Sequence, residues 1–331
     1  MQNKFVLLEY SEFVKWDKIL PLQIIMRGTI GLTSKEEDFT KSLMKKLYDK
    51  YIKLILIKGT DEYNRDKKIP DNRRLEIDFK YPILNFASTE HNFHKHKDAK
   101  IFNKLKDYSI SADKIVFAKE FTQDWVPRTV LSINKIEDLE LPIIGKPKDG
   151  FSAQGIEKFD TYEDAKKSKL KIDLWQEAKK IKREFRAFIM NGEIIHIAER
   201  ITNTSDDKSV GKKNPNDKIN LVYIDQDLNN FPYLNQIKDI KKDLDKKVKL
   251  DFYNIDLMLD EDDKMWVPEI NGAPGIGPSM FYSIYKSWLK LAYNTKMSKH
   301  TEKELLNIMK SHQESMKKEY PKEYKYSIKP I

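Results

Sequence analysis

FYNIDLMLDEDDKMWVPEINGAPGIGP, residues 252–278, is the stretch on which the architecture turns. Two runs rich in aliphatic, β-branched and aromatic residues, Phe252 to Leu259 and Met265 to Asn271, flank the acidic turn Asp260 to Asp263, which predicts an antiparallel hairpin. A four-residue turn over 261–264 sets Asp256 opposite Glu269, and the two-residue period of a strand puts Asn271 on the same face. Like charges facing each other across a strand pair are destabilising. The apolar neighbours Ile255, Leu257, Val267 and Ile270 imply buried strands rather than a solvated acidic face. A hard divalent cation reverses the penalty, because it takes oxygen ligands, few from protein and the rest from water and phosphate. Two carboxylates and an amide oxygen meet that need. The turn acids themselves do not make a calcium loop, since no glycine follows them and no glutamate closes the run.

Working upstream, Glu184 to Met190 and Glu193 to Arg200 read as strands joined by Asn191-Gly192, the strongest short hairpin signal. Leu174 to Ala178 reads as a further strand, and Thr161 caps a helix, TYEDAKKSK, with acids in its first turn. Leu141 to Lys146 predicts a buried strand running into the loop PKDGFSAQG. Gly150 to Gly155 supplies the frame of a P-loop, but Ile156 and Glu157 stand where Lys and Ser/Thr are needed, so a P-loop NTPase is disfavoured. The lysine comes before the loop, at Lys146, where an ammonium would point along the loop's amides. Such a glycine-rich loop can close over a triphosphate, its successive N–H groups forming an anion nest. The alternative is an ordinary glycine turn between strands.

Residues 202–218 are too polar to pack and read as a surface loop, while Lys299 to Tyr320 is a charged amphipathic helix that Pro321 stops. Residues 1 to about 110 alternate apolar runs, Phe5 to Leu8 and Leu54 to Ile57, with a helix-like stretch, Glu36 to Tyr51, giving an α/β reading. His91, His94 and His96 lie within six residues, but no apolar face holds a helix there, and a polar loop is the better reading.

The 331 residues contain no cysteine, which excludes disulfides, thiolate metal sites and cysteine nucleophiles. No segment approaches the roughly 18 apolar residues of a membrane helix, and the first apolar run falls short of a signal peptide, so a soluble, cytoplasmic protein without a membrane partner is expected. The net charge is +9, yet only eight of the 61 basic residues are arginine and the lysines are scattered, mostly beside acids. That pattern is a solvated surface rather than a focused nucleic-acid patch. Arginine's fixed bidentate grip gives Arg128, Arg183, Arg186 and Arg200 separate weight.

In order, these pieces resemble the ATP-grasp superfamily, most closely its carboxylate-amine ligase branch, over about residues 111–285. SADKIVFAKEFTQDWVPRT is similar to the opening segment, with Lys114 as the first phosphate lysine and Pro127-Arg128-Thr129 as the turn that follows; IIGKPKDGFSAQGI matches the second lysine, Lys146, and its flexible loop with Gly150 and Ser152. LWQEA sits where the interlobe hinge reads "Q-E", so the resemblance implies adenine contacts from the backbone of Gln176 and Ala178, with Glu177 nearby. EFRAFIMNGEIIHIAER resembles the hairpin whose acid, here Glu184, faces the ribose and whose arginines, Arg186 and Arg200, hold the transferring phosphoryl group or the acid substrate. Asp256, Glu269 and Asn271 then correspond to the Mg2+ ligands. Glu184 departs from the usual Asp, and the stretch after Arg200 is longer and more polar than in a minimal member.

The fold class expected is α/β (α+β): an ATP-grasp fold with two lobes around an ATP cleft, preceded by an α/β N-terminal domain. Its parts are residues 1–110, a small lobe over 111–178, a large lobe over 179–298 and a C-terminal helix and tail over 299–331. The activity implied is ATP-dependent ligation of a small-molecule or peptide carboxylate to an amine, with Mg2+ or Mn2+. Two other readings stay open: an ATP-grasp kinase acting on a hydroxyl, and a lysine-rich nucleic-acid-binding protein with a degenerate ATP site.

Overall fold

A computed structural model of the chain describes residues 20–26, 42–43, 46–47, 50–56, 81–86, 100–104, 107–148, 155–202 and 221–319. The run Phe5 to Leu8, the histidine cluster, Gly150, Ser152, the polar loop beyond residue 202 and the tail after the last helix lie outside the described residues. Of the helix expected over 36–51, the described residues 42–43, 46–47 and 50 are helical.

Four short strands, β1 (Leu22–Met26), β2 (Ile52–Leu56), β3 (Ile83–Phe86) and β4 (Ile101–Phe102), form a parallel sheet in the order β2-β1-β3-β4. Mostly apolar runs, interrupted by Gln23, Lys53 and Asn85, form these strands, in keeping with the apolar bias of parallel sheets. Helices α1 (Ser109–Ala112) and α2 (Lys114–Glu120) follow, then β5 (Thr129–Val130), a 3-10 turn (Ile133–Asp138), β6 (Ile143–Lys146), β7 (Glu157–Phe159), α3 (Tyr162–Lys167) and β8 (Leu174–Glu177). The strands pair antiparallel in the order β5-β8-β6-β7, over a small core of Ile136, Leu139, Ile143, Phe159, Ala165 and Trp175. Thr161 caps α3 as its sequence predicts, its hydroxyl accepting from the Asp164 N–H at 3.1 Å.

The third sheet has the order β11-β10-β9-β12-β13, built from β9 (Ile181–Met190), β10 (Glu193–Thr202), β11 (Leu221–Gln226), β12 (Phe252–Asp260) and β13 (Met265–Asn271), all antiparallel. Helix α4 (Leu234–Leu244) lies between β11 and β12, and α5 (Pro278–Tyr293) and α6 (Lys299–Glu319) close the described chain. One face of this sheet is apolar: Phe185, Ala187, Ile189, Ile197, Ile255 and Leu257 pack with Ile237, Ile240 and Leu244 of α4 and Phe117 of α2. On the other face, Phe188, Met190 and Phe252 join α5, α6 and the parallel sheet in one core. The remainder of that second face carries the polar residues.

The β9–β10 turn has Asn191 at φ 51° and Gly192 at φ 72°, the left-handed pair that a two-residue hairpin requires. The β12–β13 hairpin has a different turn from the one its sequence implies. Leu259 pairs with Met265 and the Asp260 N–H reaches Lys264 O at 3.0 Å, leaving three residues, 261–263, in the loop, with Asp263 at φ 62°. A bulge between Asp256 and Met258 then takes up one extra residue on β13, beside Pro268, and restores Asp256 opposite Glu269. Proline has no N–H to give the ladder, and the preceding Val267 N–H goes instead to Trp125 O at 2.9 Å.

Candidate functional site

Strand alternation sends Glu184 and Arg186 of β9 away from the α4 core, and the pairings Asp256–Arg186 and Asp256–Glu269 align three charged side chains across neighbouring strands. Arg186 Nε lies 3.0 Å from Asp256 Oδ1, and Arg186 Nη2 donates to Asp256 Oδ2 at 3.4 Å. Asn254 and Asn271 donate through Nδ2 to the two oxygens of Asp256, at 2.5 Å and 3.2 Å. Asn254 was missed in the sequence, although it lies two residues before Asp256 on the same strand face. Lys114, at the start of α2, reaches Glu269 Oε2 at 3.3 Å. Its backbone is held by Asp113, whose carboxylate accepts from the Ile115 and Val116 N–H groups. The repulsion between Asp256 and Glu269 is thus offset by Arg186 and Lys114.

Lys146 is only 4% exposed at the end of β6. Its ammonium donates to Gln176 Oε1 at 2.6 Å, and Gln176 Nε2 donates in turn to Thr129 Oγ1 at 3.0 Å. Burial is the main reason its pKa falls to about 8; Glu269 pulls the other way, Lys114 pushes it lower and Asp256 opposes that. The β6 lysine and the β12–β13 carboxylates therefore lie near enough to feel one another's charge.

Glu184 pairs with Arg200, its register partner on β10, with Arg200 Nη1 at 3.1 Å from Glu184 Oε2. Glu177 is buried; its carboxylate accepts from the Glu140 N–H at 3.2 Å and meets Lys179 Nζ at 2.6 Å. The Ala178 N–H donates to Pro142 O at 2.8 Å, so an adenine contact through that donor requires the bond to open. Arg183 stands apart from this group. It makes a two-pronged pair with Glu199, both bonds 2.7 Å, and lies over the Phe185 ring on the α4 side.

The site brings together Lys114, Lys146, Gln176, Arg186, Asp256, Glu269 and Asn271. Among the described residues no group of three or more His, Cys, Asp or Glu is placed to hold a metal ion. What these strands offer is two carboxylates and an amide, a donor set of oxygens that fits a hard cation keeping other positions for water and phosphate. Among the described residues no helix is long and apolar enough to cross a membrane.

No protein-family model and no curated protein sequence matches the chain. Solved structures do. D-alanine–D-alanine ligase from Bacillus anthracis superposes with a TM-score of 0.52 at 15% identity, over 91% of this chain and 99% of that one. The same enzyme complexed with ATP gives 0.51 at 13% identity, over the same shares of the two chains. N5-carboxyaminoimidazole synthetase from Staphylococcus aureus, complexed with ADP, gives 0.54 at 11% identity, over 85% of this chain and 79% of that one. These likenesses carry the fold, and the chain has the ATP-grasp fold.

Proposed function

We propose that the chain is an ATP-dependent carboxylate-amine ligase. The observation that carries this is the pairing of Asp256 with Glu269 across β12 and β13, with Arg186 and Lys114 at hydrogen-bonding distance from the two carboxylates and the buried Lys146 near enough to feel their charge. A B. anthracis structure of the same fold is complexed with ATP, which supports a nucleotide as ligand of this chain.

An oxygen of the acid substrate attacks the γ-phosphorus of ATP, the bond to ADP breaks, and an acyl phosphate forms. The amine nitrogen then attacks the acyl carbon, the carbon–oxygen bond to phosphate breaks, and the nitrogen loses a proton. Phosphoryl transfer of this kind needs positioning and charge neutralisation more than covalent help. Lys114 and Lys146 hold the phosphates, with Gln176 fixing the Lys146 ammonium. Arg186 and Arg200 hold the transferring group or the acid, and Glu184 orients the ribose. Asp256, Glu269 and Asn271 would hold Mg2+, which when bound would supply Lewis-acid neutralisation of the phosphate oxygens. Gly150 and Ser152, outside the described residues, are assigned to the phosphates on the sequence resemblance alone, and the backbone of Gln176 and Ala178, with Glu177 beside it, borders the adenine.

The test is product stoichiometry across a panel of amino acids, short peptides and polyamines in the presence of Mg2+. A ligase releases ADP and free phosphate one for one, only when both acid and amine are present, and Glu269→Ala abolishes this while leaving the circular dichroism spectrum unchanged. ADP without free phosphate would identify a kinase, and wild-type turnover in Glu269→Ala would remove the metal assignment.

A further inference from the structure

We propose that Tyr108 is a positioning residue for the Asn271 limb of the metal site, a role that rests on the metal reading above. Tyr108 is only 2% exposed, and its hydroxyl lies among three polar groups from three parts of the chain. It donates to Asn85 O on β3, accepts from Asn103 Nδ2 at 3.1 Å, and stands 3.4 Å from Gly272 O, immediately after Asn271. A hydroxyl has one proton, so the two carbonyls share one donor. The position of Gly272 is therefore tied to β3 of the parallel sheet.

Contact with the ring is as close as the backbone allows. A Cβ on Gly272 would fall 2.3 Å from Tyr108 Cε1 and 2.8 Å from Ser111 Oγ, so the glycine of Asn271-Gly272 is required by the tyrosine lying against it. Asn103 anchors the other strand of the hairpin. Its Nδ2 donates to Phe252 O at 2.7 Å and its Oδ1 accepts from the Phe252 N–H at 2.8 Å, so one side chain pairs with the backbone at the start of β12. Tyr108 and Asn103 thereby hold the end of β13 and the start of β12 together. Between those anchors sits the bond from Asn271 Nδ2 to Asp256 Oδ2. Packing alone is served by any aromatic ring, whereas the convergence of an amide and two carbonyls on one buried oxygen needs the hydroxyl.

Tyr108→Phe keeps the ring and removes only the hydroxyl. Mn2+ binding, read from the free-ion electron paramagnetic resonance signal with ADP present, should weaken about tenfold, the range for groups that orient metal ligands. The Mg2+ concentration for half-maximal turnover should rise in parallel, while ADP affinity without metal stays within about twofold. Gly272→Ala, which pushes the same contact from the other side, should shift Mn2+ affinity in the same direction and guards against a folding defect peculiar to one variant. Folded variants of both kinds with wild-type Mn2+ affinity would overturn the proposal. Wild-type protein that binds no Mn2+ would overturn it together with the metal reading, so the two failures are told apart by the wild-type titration.

Discussion

Lys146 carries a charge that its surroundings resist. Burial lowers its pKa from 10.5 to about 8, so between those values the unfolded chain holds a proton that the folded chain has released, and stability rises with pH through that window. Below about 8 the penalty is present in full, about 3 kcal/mol for a shift of this size. Lys146→Met should accordingly stabilise the free protein at neutral pH by up to about 3 kcal/mol, less the cost of leaving Gln176 Oε1 without its donor. Denaturant titrations should show that advantage shrinking from pH 8 to 10; a pH-independent difference would sink the argument. On the proposed function, the same ammonium is what a triphosphate binds, so wild-type ATP affinity should fall by up to about tenfold per pH unit above 8. Nucleotide titration of Lys146→Met should show weak binding with no such slope. A residue that destabilises the empty fold and serves the loaded one is the trade expected of a site group.

The two hairpins separate what is legible in a sequence from what is not. Asn191-Gly192 gave away the β9–β10 turn because a two-residue loop needs two left-handed residues and few sequences supply them. Gly192→Ala meets nothing within 4 Å, so its cost is backbone conformation alone, about 1 kcal/mol, and turnover should be untouched; thermal and activity measurements on the one variant check both halves. The β12–β13 register was legible at Asp256 and Glu269 although the turn is three residues rather than four, since the bulge beside Pro268 restores the missing step. Alternation of apolar and polar residues fixes which face a residue takes but not where an extra residue enters. Deleting Pro268 should remove the bulge and leave Glu269 opposite Asp256, so a chain that still folds should keep its turnover, and loss of turnover in such a chain would show that the bulge itself aims the ligand pair. Helices α4 and α5 were passed over though their signals were present: Ile237, Ile240 and Leu244 recur at helical spacing, and Pro278 occupies a first-turn position. The Lys146–Gln176–Thr129 chain had no such signal, because its members meet through strand pairing across 30 and 47 residues of sequence.

At the scale of the whole molecule, the parallel sheet and the five-stranded sheet share a core rather than merely touching. Leu22, Ile24 and Ile52 pack in the same cluster as Phe188, Phe252, Trp288, Leu305 and Ile308. Polar bonds repeat the pattern. Trp288 Nε1 donates to Pro21 O at 3.1 Å, Tyr51 Oη donates to Glu304 Oε2 at 2.7 Å, and Gln313 Nε2 donates to Asp225 Oδ2 at 3.0 Å, so α5 and α6 grip both sheets. Among the described residues before 110, Leu22, Ile24 and Ile52 join this core, and Asn85, Asn103 and Tyr108 place the hairpin. Asp225 is the buried centre of the α6 attachment, 1% exposed and bonded by His196, Ser279 and Gln313. Burial raises its pKa, but His196 and the bonds from His196 and Gln313 outweigh that, leaving it below the usual carboxylate value. Its stabilisation is present above the unfolded pKa and is lost as pH falls through the lower folded value. Asp225→Ala leaves those donors without their acceptor in the interior and should cost about 3 kcal/mol or more. Because both sheets share the core that α6 completes, tryptophan fluorescence and far-ultraviolet circular dichroism should lose signal in one coincident transition, lowered as a unit in Asp225→Ala. Two resolved transitions in the wild type would mean that the parallel sheet folds independently, and the route from β3 through Tyr108 to Gly272 would then join separable units rather than run through one core.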